Sequence, residues 1–118
     1  MTPARAAELI QSAINQSKEG YTLEEVLTEI VEGRSVLLTS ENALLVAKLY
    51  GRHGRITAHG WLGAGSLTEL IDEIMPQAEA WARRQGASRM TVDGRRGWAR
   101  ALRDSGFEEE SVTVGKDI

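Results

Sequence analysis

The sequence predicts an α+β fold in which a mixed β-sheet packs against helices, in a single domain over 1–118. Its 118 residues, 42% hydrophobic and 26% charged, suffice for one core without covalent cross-links. Apolar residues at helical spacing fill 1–33, and short β-favourable runs fill 35–62. From 66 to 116 helices and strands alternate, which favours a parallel crossover. The predicted order is ααβββαβαβ: two helices, an antiparallel meander, and an αβαβ unit with one parallel βαβ crossover.

Start and stop signals define the two N-terminal helices. Pro3 stands at a first-turn position, where its missing N–H costs nothing, and the first helix ends before Gly20. Thr22 and Glu25 fit a capping box for the second helix, and Gly33 ends it. The predicted buried stripes are Ala6, Leu9, Ile10, Ala13 and Ile14, then Leu23, Val26, Leu27, Ile30 and Val31.

Three strands are predicted in the middle of the chain, over 35–40, 43–50 and 55–62. The segments between them, 41–42 and 51–54, suit hairpin turns. Strict alternation along the third strand predicts that His59 faces a cleft. The two predicted faces are Thr57, His59 and Trp61 against Ile56, Ala58, Gly60 and Leu62.

The second half is predicted to contain a long helix, a strand over 88–93, a short helix over 95–105 and a strand over 111–116. Ser66 and Glu69 fit a capping box for the long helix, and Pro76 predicts a kink near 72–76. Trp98 and Leu102 lie one turn apart in the short helix, which predicts that both face the core. The predicted stripe of the long helix is Leu67, Leu70, Ile71, Ile74, Ala78, Trp81 and Ala82.

Composition and charge limit the classes of function. The chain has no cysteine, so disulfides and thiolate metal sites are excluded. No apolar run approaches the roughly 20 residues of a membrane span, and no secretory signal is visible, so a cytosolic location is expected. Residues 1–33 carry six glutamates against Arg5 and Lys18, whereas 83–103 carry seven arginines against Asp93. Either end can therefore serve as an electrostatic docking face.

The element order, with the Ser-Gly-Phe sequence (105–107) after the short helix, resembles the GNAT family of N-acetyltransferases. Within that family, the Gly-Arg-Arg-Gly-Trp segment (94–98) and the Trp-Leu strand end (61–62) are similar to short phage and prophage proteins. The resemblance covers about residues 22–116. It implies a GNAT fold, a phage or prophage origin, and contacts with virion or assembly proteins in the host cytoplasm or the virion.

The resemblance also implies where acetyl-CoA would bind. The family holds the pyrophosphate at the start of the long helix, where backbone N–H groups and the helix dipole favour anions. The corresponding residues here are Gly63, Ala64, Gly65 and Ser66, but Leu67 stands where the family has its last glycine. The family's proton donor corresponds to Leu102, which has no proton to give.

His59 is the candidate base for the acceptor amine, because imidazole titrates near neutral pH. With an altered phosphate loop and no proton donor, the sequence predicts a non-catalytic GNAT-fold phage protein that needs no cofactor. Such a protein would act in virion structure or assembly through protein contacts. The alternative is an acetyl-CoA-dependent N-acetyltransferase that uses His59 and the loop at 63–66.

A predicted interaction surface consists of Arg95, Arg96, Arg100 and Arg103. Positive charge at a helix N-terminus opposes the helix dipole, so a partner anion is expected. Coenzyme A phosphates, a nucleic-acid backbone and an acidic protein surface all fit, although the pI near 5.4 and the few aromatic residues weigh against nucleic acid. Salt-sensitive self-association through the glutamates of the second helix is one form of the protein contact. Those glutamates are Glu24, Glu25, Glu29 and Glu32.

Overall fold

The computed structural model of the protein describes residues 1–93, 96–110 and 114–118. Its α-helices are α1 (Pro3–Ser17), α2 (Leu23–Val31), α3 (Leu67–Glu69), α4 (Met75–Arg84) and α5 (Arg96–Ala101). A π-helical turn (Leu70–Ile74) joins α3 to α4, so residues 67–84 form one long helix, and a 3-10 turn (Arg103–Ser105) follows α5. The strands are β1 (Val36–Thr39), β2 (Ala43–Arg52), β3 (Arg55–Gly65) and β4 (Arg89–Val92).

The strands form one mixed sheet in the order β1-β2-β3-β4. β1, β2 and β3 run antiparallel, and β4 joins β3 in parallel after the long helix. This arrangement confirms the predicted fold class, an antiparallel meander followed by a parallel βαβ crossover. The predicted strand over 111–116 is only partly testable, because 111–113 lie outside the described residues. Residues 114–116 are exposed and form no strand, since no described strand pairs with them.

A β-bulge in β3 changes the predicted faces of the sheet. Val46 pairs with Leu62 and Ala47 pairs with Gly60, so Trp61 has no residue opposite it. An inserted residue shifts the alternation of side chains beyond it. Trp61 and Leu62 therefore pack in the same core, and the prediction that Leu62 faces away from Trp61 is wrong. β3 also continues to Gly65, where the sequence predicted a loop.

On one side of the sheet, called the α1/α2 face, α1 and α2 pack over Leu44, Val46, Trp61 and Leu62. The predicted stripe of α1 is buried in full. The stripe of α2 is not, because α1 and the sheet cover only the side of the helix that carries Val26. Leu27 and Val31 are exposed, contrary to the prediction.

On the opposite side, called the long-helix face, the long helix and Leu102 pack over Ala43, Leu45 and Ala47. Pro76 has no N–H to give to the carbonyl four residues earlier. The π turn lies directly before it, at the position of the predicted kink. The buried part of the helix stripe is Leu70, Ile74, Met75, Ala78 and Ala82. Leu67, predicted to be buried, is exposed because it lies in the first turn, at the edge of the packed layer.

Within the described ranges, no helix combines the length and the apolar character needed to cross a membrane.

Candidate active site

β3 and β4 separate after Gly60, and the candidate site lies at this fork. The two strands pair from Thr57 with Arg89 to Gly60 with Val92. β4 then ends, while β3 continues to Gly65. Among the described residues, 61–65 of β3 therefore have no strand partner on the β4 side. An unpaired strand edge offers N–H and C=O groups to an extended ligand.

His59 lies on β3 just before the fork, on the α1/α2 face, and contacts two residues at the end of β4. Its Nδ1 lies 2.7 Å from Thr91 Oγ1, and its Nε2 lies 3.0 Å from Asp93 Oδ2. The backbone N–H of Asp93 donates to the Gly60 carbonyl at 3.0 Å, which holds the main chain of Asp93 beside β3. The His59 side chain is 15% exposed and that of Asp93 69% exposed. The pair is thus held in place but lies within reach of a substrate.

Lys48 lies directly opposite His59 on β2 and joins the fork to α2. Its Nζ lies 3.7 Å from the centre of the Trp61 ring, a cation–π contact, and 3.9 Å from Glu29 Oε1 of α2. The Lys48 side chain is only 16% exposed, so its charge is partly shielded from water. The ammonium group therefore ties the bulge residue Trp61 to the helix layer above it.

Two tyrosines complete the surroundings of the fork. Tyr21, between α1 and α2, meets the Trp61 ring edge-on with centroids 4.8 Å apart. A hydrogen bond to Glu19, followed by burial, raises the pKa of Tyr21 above 10.0. The ring of Tyr50 lies 5.7 Å from that of His59. His59 is consequently bordered by the Tyr50 ring, while Tyr21 borders the bulge residue Trp61.

The two glycines of the predicted phosphate loop are close to the protein's own atoms. A Cβ at Gly63 would lie 2.6 Å from the Trp98 ring, and one at Gly65 would lie 2.1 Å from the carbonyl oxygen of Asn42. Gly65 also has a φ of +102°, which side chains rarely adopt. Ala64 packs against the core of the α1/α2 face. In this conformation, the small residues 63–65 accommodate protein packing rather than open space for a ligand.

Ser66 and Glu69 form only half of the predicted capping box. The Glu69 N–H donates to Ser66 Oγ at 3.3 Å, but the Ser66 N–H donates to the Asn42 carbonyl at 2.9 Å. The Glu69 carboxylate accepts instead from Ser40 Oγ (2.7 Å) and from the Asn42 N–H (2.8 Å). The bond from Ser40, followed by the bond from Asn42, lowers the pKa of Glu69 below 4.5. The start of the long helix is therefore tied to the β1–β2 turn.

Two backbone donors remain for an anion at this position. Within the described part of the chain, no hydrogen-bond acceptor lies against the N–H groups of Leu67 and Thr68, the first residues of the long helix. A helix start of this kind fits a phosphate group. The residues present thus fit the phosphates of acetyl-CoA through the N–H groups of Leu67 and Thr68, while the predicted contacts of Gly63, Ala64, Gly65 and Ser66 with the cofactor stay a prediction.

The arginine surface stays a prediction. Arg95 lies outside the described residues, as does the side chain of Arg96, while Arg100 and Arg103 are exposed. The proposed acidic counterpart on α2 is partly neutralised within the chain. Arg34 pairs with Glu29 at 3.0 Å and also with Glu32.

Sequence reasoning found His59 but missed the residues that surround it. Thr91 and Asp93 come from a strand that is more than 30 residues further along the chain. One signal was present, because Asp93 follows directly after a strand that ends a βαβ crossover, a common position for functional side chains. Lys48 gave no signal of its own, since its role depends on the register between β2 and β3.

The forked mixed sheet with its helices is the fold of the GNAT acetyltransferases. The chain is similar to an acetyltransferase from Trypanosoma brucei, with a TM-score of 0.68, 11% identity, and coverage of 98% of this chain and 92% of that one. It is also similar to glucosamine-6-phosphate N-acetyltransferase from Arabidopsis thaliana, with a TM-score of 0.67, 11% identity, and coverage of 99% and 94%. A third similar structure is an aminoglycoside N-acetyltransferase in complex with CoA, with a TM-score of 0.63, 11% identity, and coverage of 99% and 91%. No protein-family model and no curated protein matches the chain.

These similarities correct the main functional prediction. The sequence favours a non-catalytic virion component, but the three similar structures named above are acetyltransferases, which favours the alternative. The prediction of a non-catalytic protein depends on single positions, above all Leu67 and Leu102. It left out the His59–Asp93 pair, which only the folded strands bring together.

Proposed function

We propose that this protein is an acetyl-CoA-dependent N-acetyltransferase whose reaction centre is the fork between β3 and β4. The observation that carries the proposal is the His59–Asp93 pair beside the unpaired edge of β3. A candidate base and a surface for an extended donor thus meet at one point. The fold, which is that of acetyltransferases, supports the same assignment.

The proposed reaction needs one proton acceptor from the protein. The lone pair of the acceptor amine attacks the thioester carbonyl, the C–N bond forms, and the C–S bond breaks. With Asp93 accepting from Nε2–H, Nδ1 of His59 is the basic nitrogen and takes the proton that the amine loses. The amine takes the place of the Thr91 hydroxyl at Nδ1. Leu102, at the position that corresponds to the family's proton donor, has no acidic proton, so the coenzyme A thiolate takes its proton from solvent.

The donor is expected to lie along residues 61–65 of β3. Its amide groups can pair with the N–H and C=O groups of this edge, as an added strand would. At the far end of the edge, the free N–H groups of Leu67 and Thr68 face the phosphates. The acceptor amine then approaches His59 from the α1/α2 face, past Tyr50 and Asp93.

Binding and turnover each give a direct test. A thermal melt with acetyl-CoA at a hundred times its dissociation constant should show about 2.7 kcal/mol of added stability, which is several degrees for a domain of this size. Turnover can be followed by thiol release with a panel of primary amines. Because the chain contains no cysteine, every thiol that a colorimetric reagent detects comes from coenzyme A. A protein that neither gains stability nor releases thiol with any amine would refute the proposal.

The phage or prophage origin implied by the segment at 94–98 stays a prediction. It affects which amines belong in the panel but not the geometry of the fork.

A further inference from the structure

We propose that Trp98 acts as a gate for acetyl-CoA: its ring covers Gly63 in the free protein and must move away before the donor can enter. This inference rests on the proposed function, because the space that Trp98 fills borders the unpaired edge of β3. The gate is defined as the contact between the Trp98 side chain and Gly63.

The contact is close and lies at the centre of the unpaired segment. An ideal Cβ at Gly63 would lie 2.6 Å from Cη2 and 3.4 Å from Cζ3 of the Trp98 ring. The same Cβ would lie 3.3 Å from a methyl group of Leu45, the residue of β2 that pairs with Gly63. Only a residue without a side chain leaves room for the indole here. Gly63 therefore serves the closed position of Trp98.

The segment that carries Trp98 contacts the core of the long-helix face through two residues, Trp98 and Leu102, and they are buried to different degrees. Leu102 is 4% exposed and anchors the end of α5 in the core of the long-helix face. Trp98 packs against the same core but is only half-buried, and Gly97 and Arg100 in the same helix are exposed. A Cβ added at Gly97 would meet no atom within 4 Å. Trp98 can thus leave Gly63 without removing Leu102 from the core.

A closed gate reduces apparent affinity in proportion to the fraction of molecules that are open. Replacing Trp98 by alanine removes the indole ring that covers Gly63. Acetyl-CoA binding should then tighten, on the order of tenfold if about one wild-type molecule in ten is open. The substitution also removes apolar contacts, so a second variant is needed that moves the ring without deleting it. Gly63→Ala does this, because its methyl group would clash with the indole.

The experiment combines affinity with a direct view of the ring. The chain has three tryptophans, Trp61, Trp81 and Trp98, so 5-fluorotryptophan labelling gives three fluorine signals, and Trp98→Phe assigns one of them. The Trp98 signal should shift when acetyl-CoA is added, and Gly63→Ala should shift it without ligand. Gly51→Ala is the matched control in a strand, since its Cβ would meet only one atom, the Arg55 carbonyl oxygen at 4.0 Å.

The possible outcomes distinguish a failure of the gate from a failure of the proposed function. Tighter binding by Trp98→Ala, with both shifts of the Trp98 signal, supports the gate. If the wild type binds acetyl-CoA and Trp98→Ala binds equally or more weakly, the gate is wrong and acetyl transfer stands. If neither protein binds acetyl-CoA, the acetyltransferase proposal fails and the gate fails with it.

Discussion

The two halves of β3 have different surroundings, although they belong to one continuous strand. Residues 57–60 are paired with strands on both sides and hold His59 against Thr91 and Asp93. Among the described residues, 62–65 pair with β2 alone and Trp61 is the bulge residue, and the two glycines accommodate Trp98 and Asn42. The proposed reacting end of the site is therefore already organised, whereas the proposed donor end is closed by the protein's own packing.

The largest effect is expected at His59. His59→Gln keeps a polar side chain opposite Asp93 but cannot accept the amine proton, so kcat/KM for acetyl transfer should fall at least about a hundredfold. The control is His53→Asn in the β2–β3 turn, where φ is +52° and asparagine is well tolerated. Thiol release at saturating acetyl-CoA measures both variants. Unchanged turnover by His59→Gln would show that the first half of β3 does not supply the base.

The second half of the strand is tested at Gly65. Gly65→Ala forces a methyl group to within 2.1 Å of the Asn42 carbonyl at a positive φ, and neither backbone can easily shift. We expect a loss of at least about 3 kcal/mol in the free energy of unfolding, measured with urea. Gly115→Ala in the exposed C-terminal segment, where a Cβ meets nothing, should change it by less than about 0.5 kcal/mol. An unaltered midpoint for Gly65→Ala would mean that Gly65 is free to serve a ligand after all.

The sequence predicted the parts of the fold that local patterns determine. The stripe of α1, the hairpins and the βαβ crossover follow from periodicity, caps and turns that lie within a few residues of each other. The bulge at Trp61 could not be predicted in this way, because it depends on how β2 and β3 align. The same holds for the partners of His59, which come from β4.

Glycine was the least informative residue type. In the sequence, Gly63 and Gly65 look the same whether the space beside them holds a phosphate or a protein atom. Only the position of Trp98, from a helix more than 30 residues later, and of the β1–β2 turn decides between the two. The segment that contains the two glycines was thus predictable from the sequence, but the group that fills the space beside them was not.

A smaller effect is expected at Lys48, where the two halves of β3 meet. Lys48→Met keeps the apolar stem but removes the charge that contacts the Trp61 ring and Glu29. We expect a loss of about 1 kcal/mol in the free energy of unfolding. Lys116→Met in the exposed C-terminal segment is the control and should have no measurable effect. Equal stability of the two variants would show that the ammonium group does not tie the bulge to α2.

The smallest effect concerns Glu69, at the point where the second half of β3 enters the long helix. Its pKa is lowered in the folded protein by hydrogen bonds from Ser40 and Asn42. The carboxylate therefore adds stability that is fully present well above pH 4.5 and is lost as the pH falls through the lowered pKa. Glu69→Gln can still accept both hydrogen bonds but does not titrate, so the stability difference between wild type and variant should shrink on going from pH 6 to pH 3.

The same variant tests whether this carboxylate opposes donor binding. Glu69 places a negative charge in the first turn of the helix whose Leu67 and Thr68 N–H groups would face the donor phosphates. Removing that charge should tighten acetyl-CoA binding by a few-fold at low ionic strength and less at high salt. Titrations at two salt concentrations measure this difference. If Glu69→Gln leaves the affinity for acetyl-CoA unchanged at low salt, the phosphates do not bind at the start of the long helix. The donor would then have to lie elsewhere along the fork.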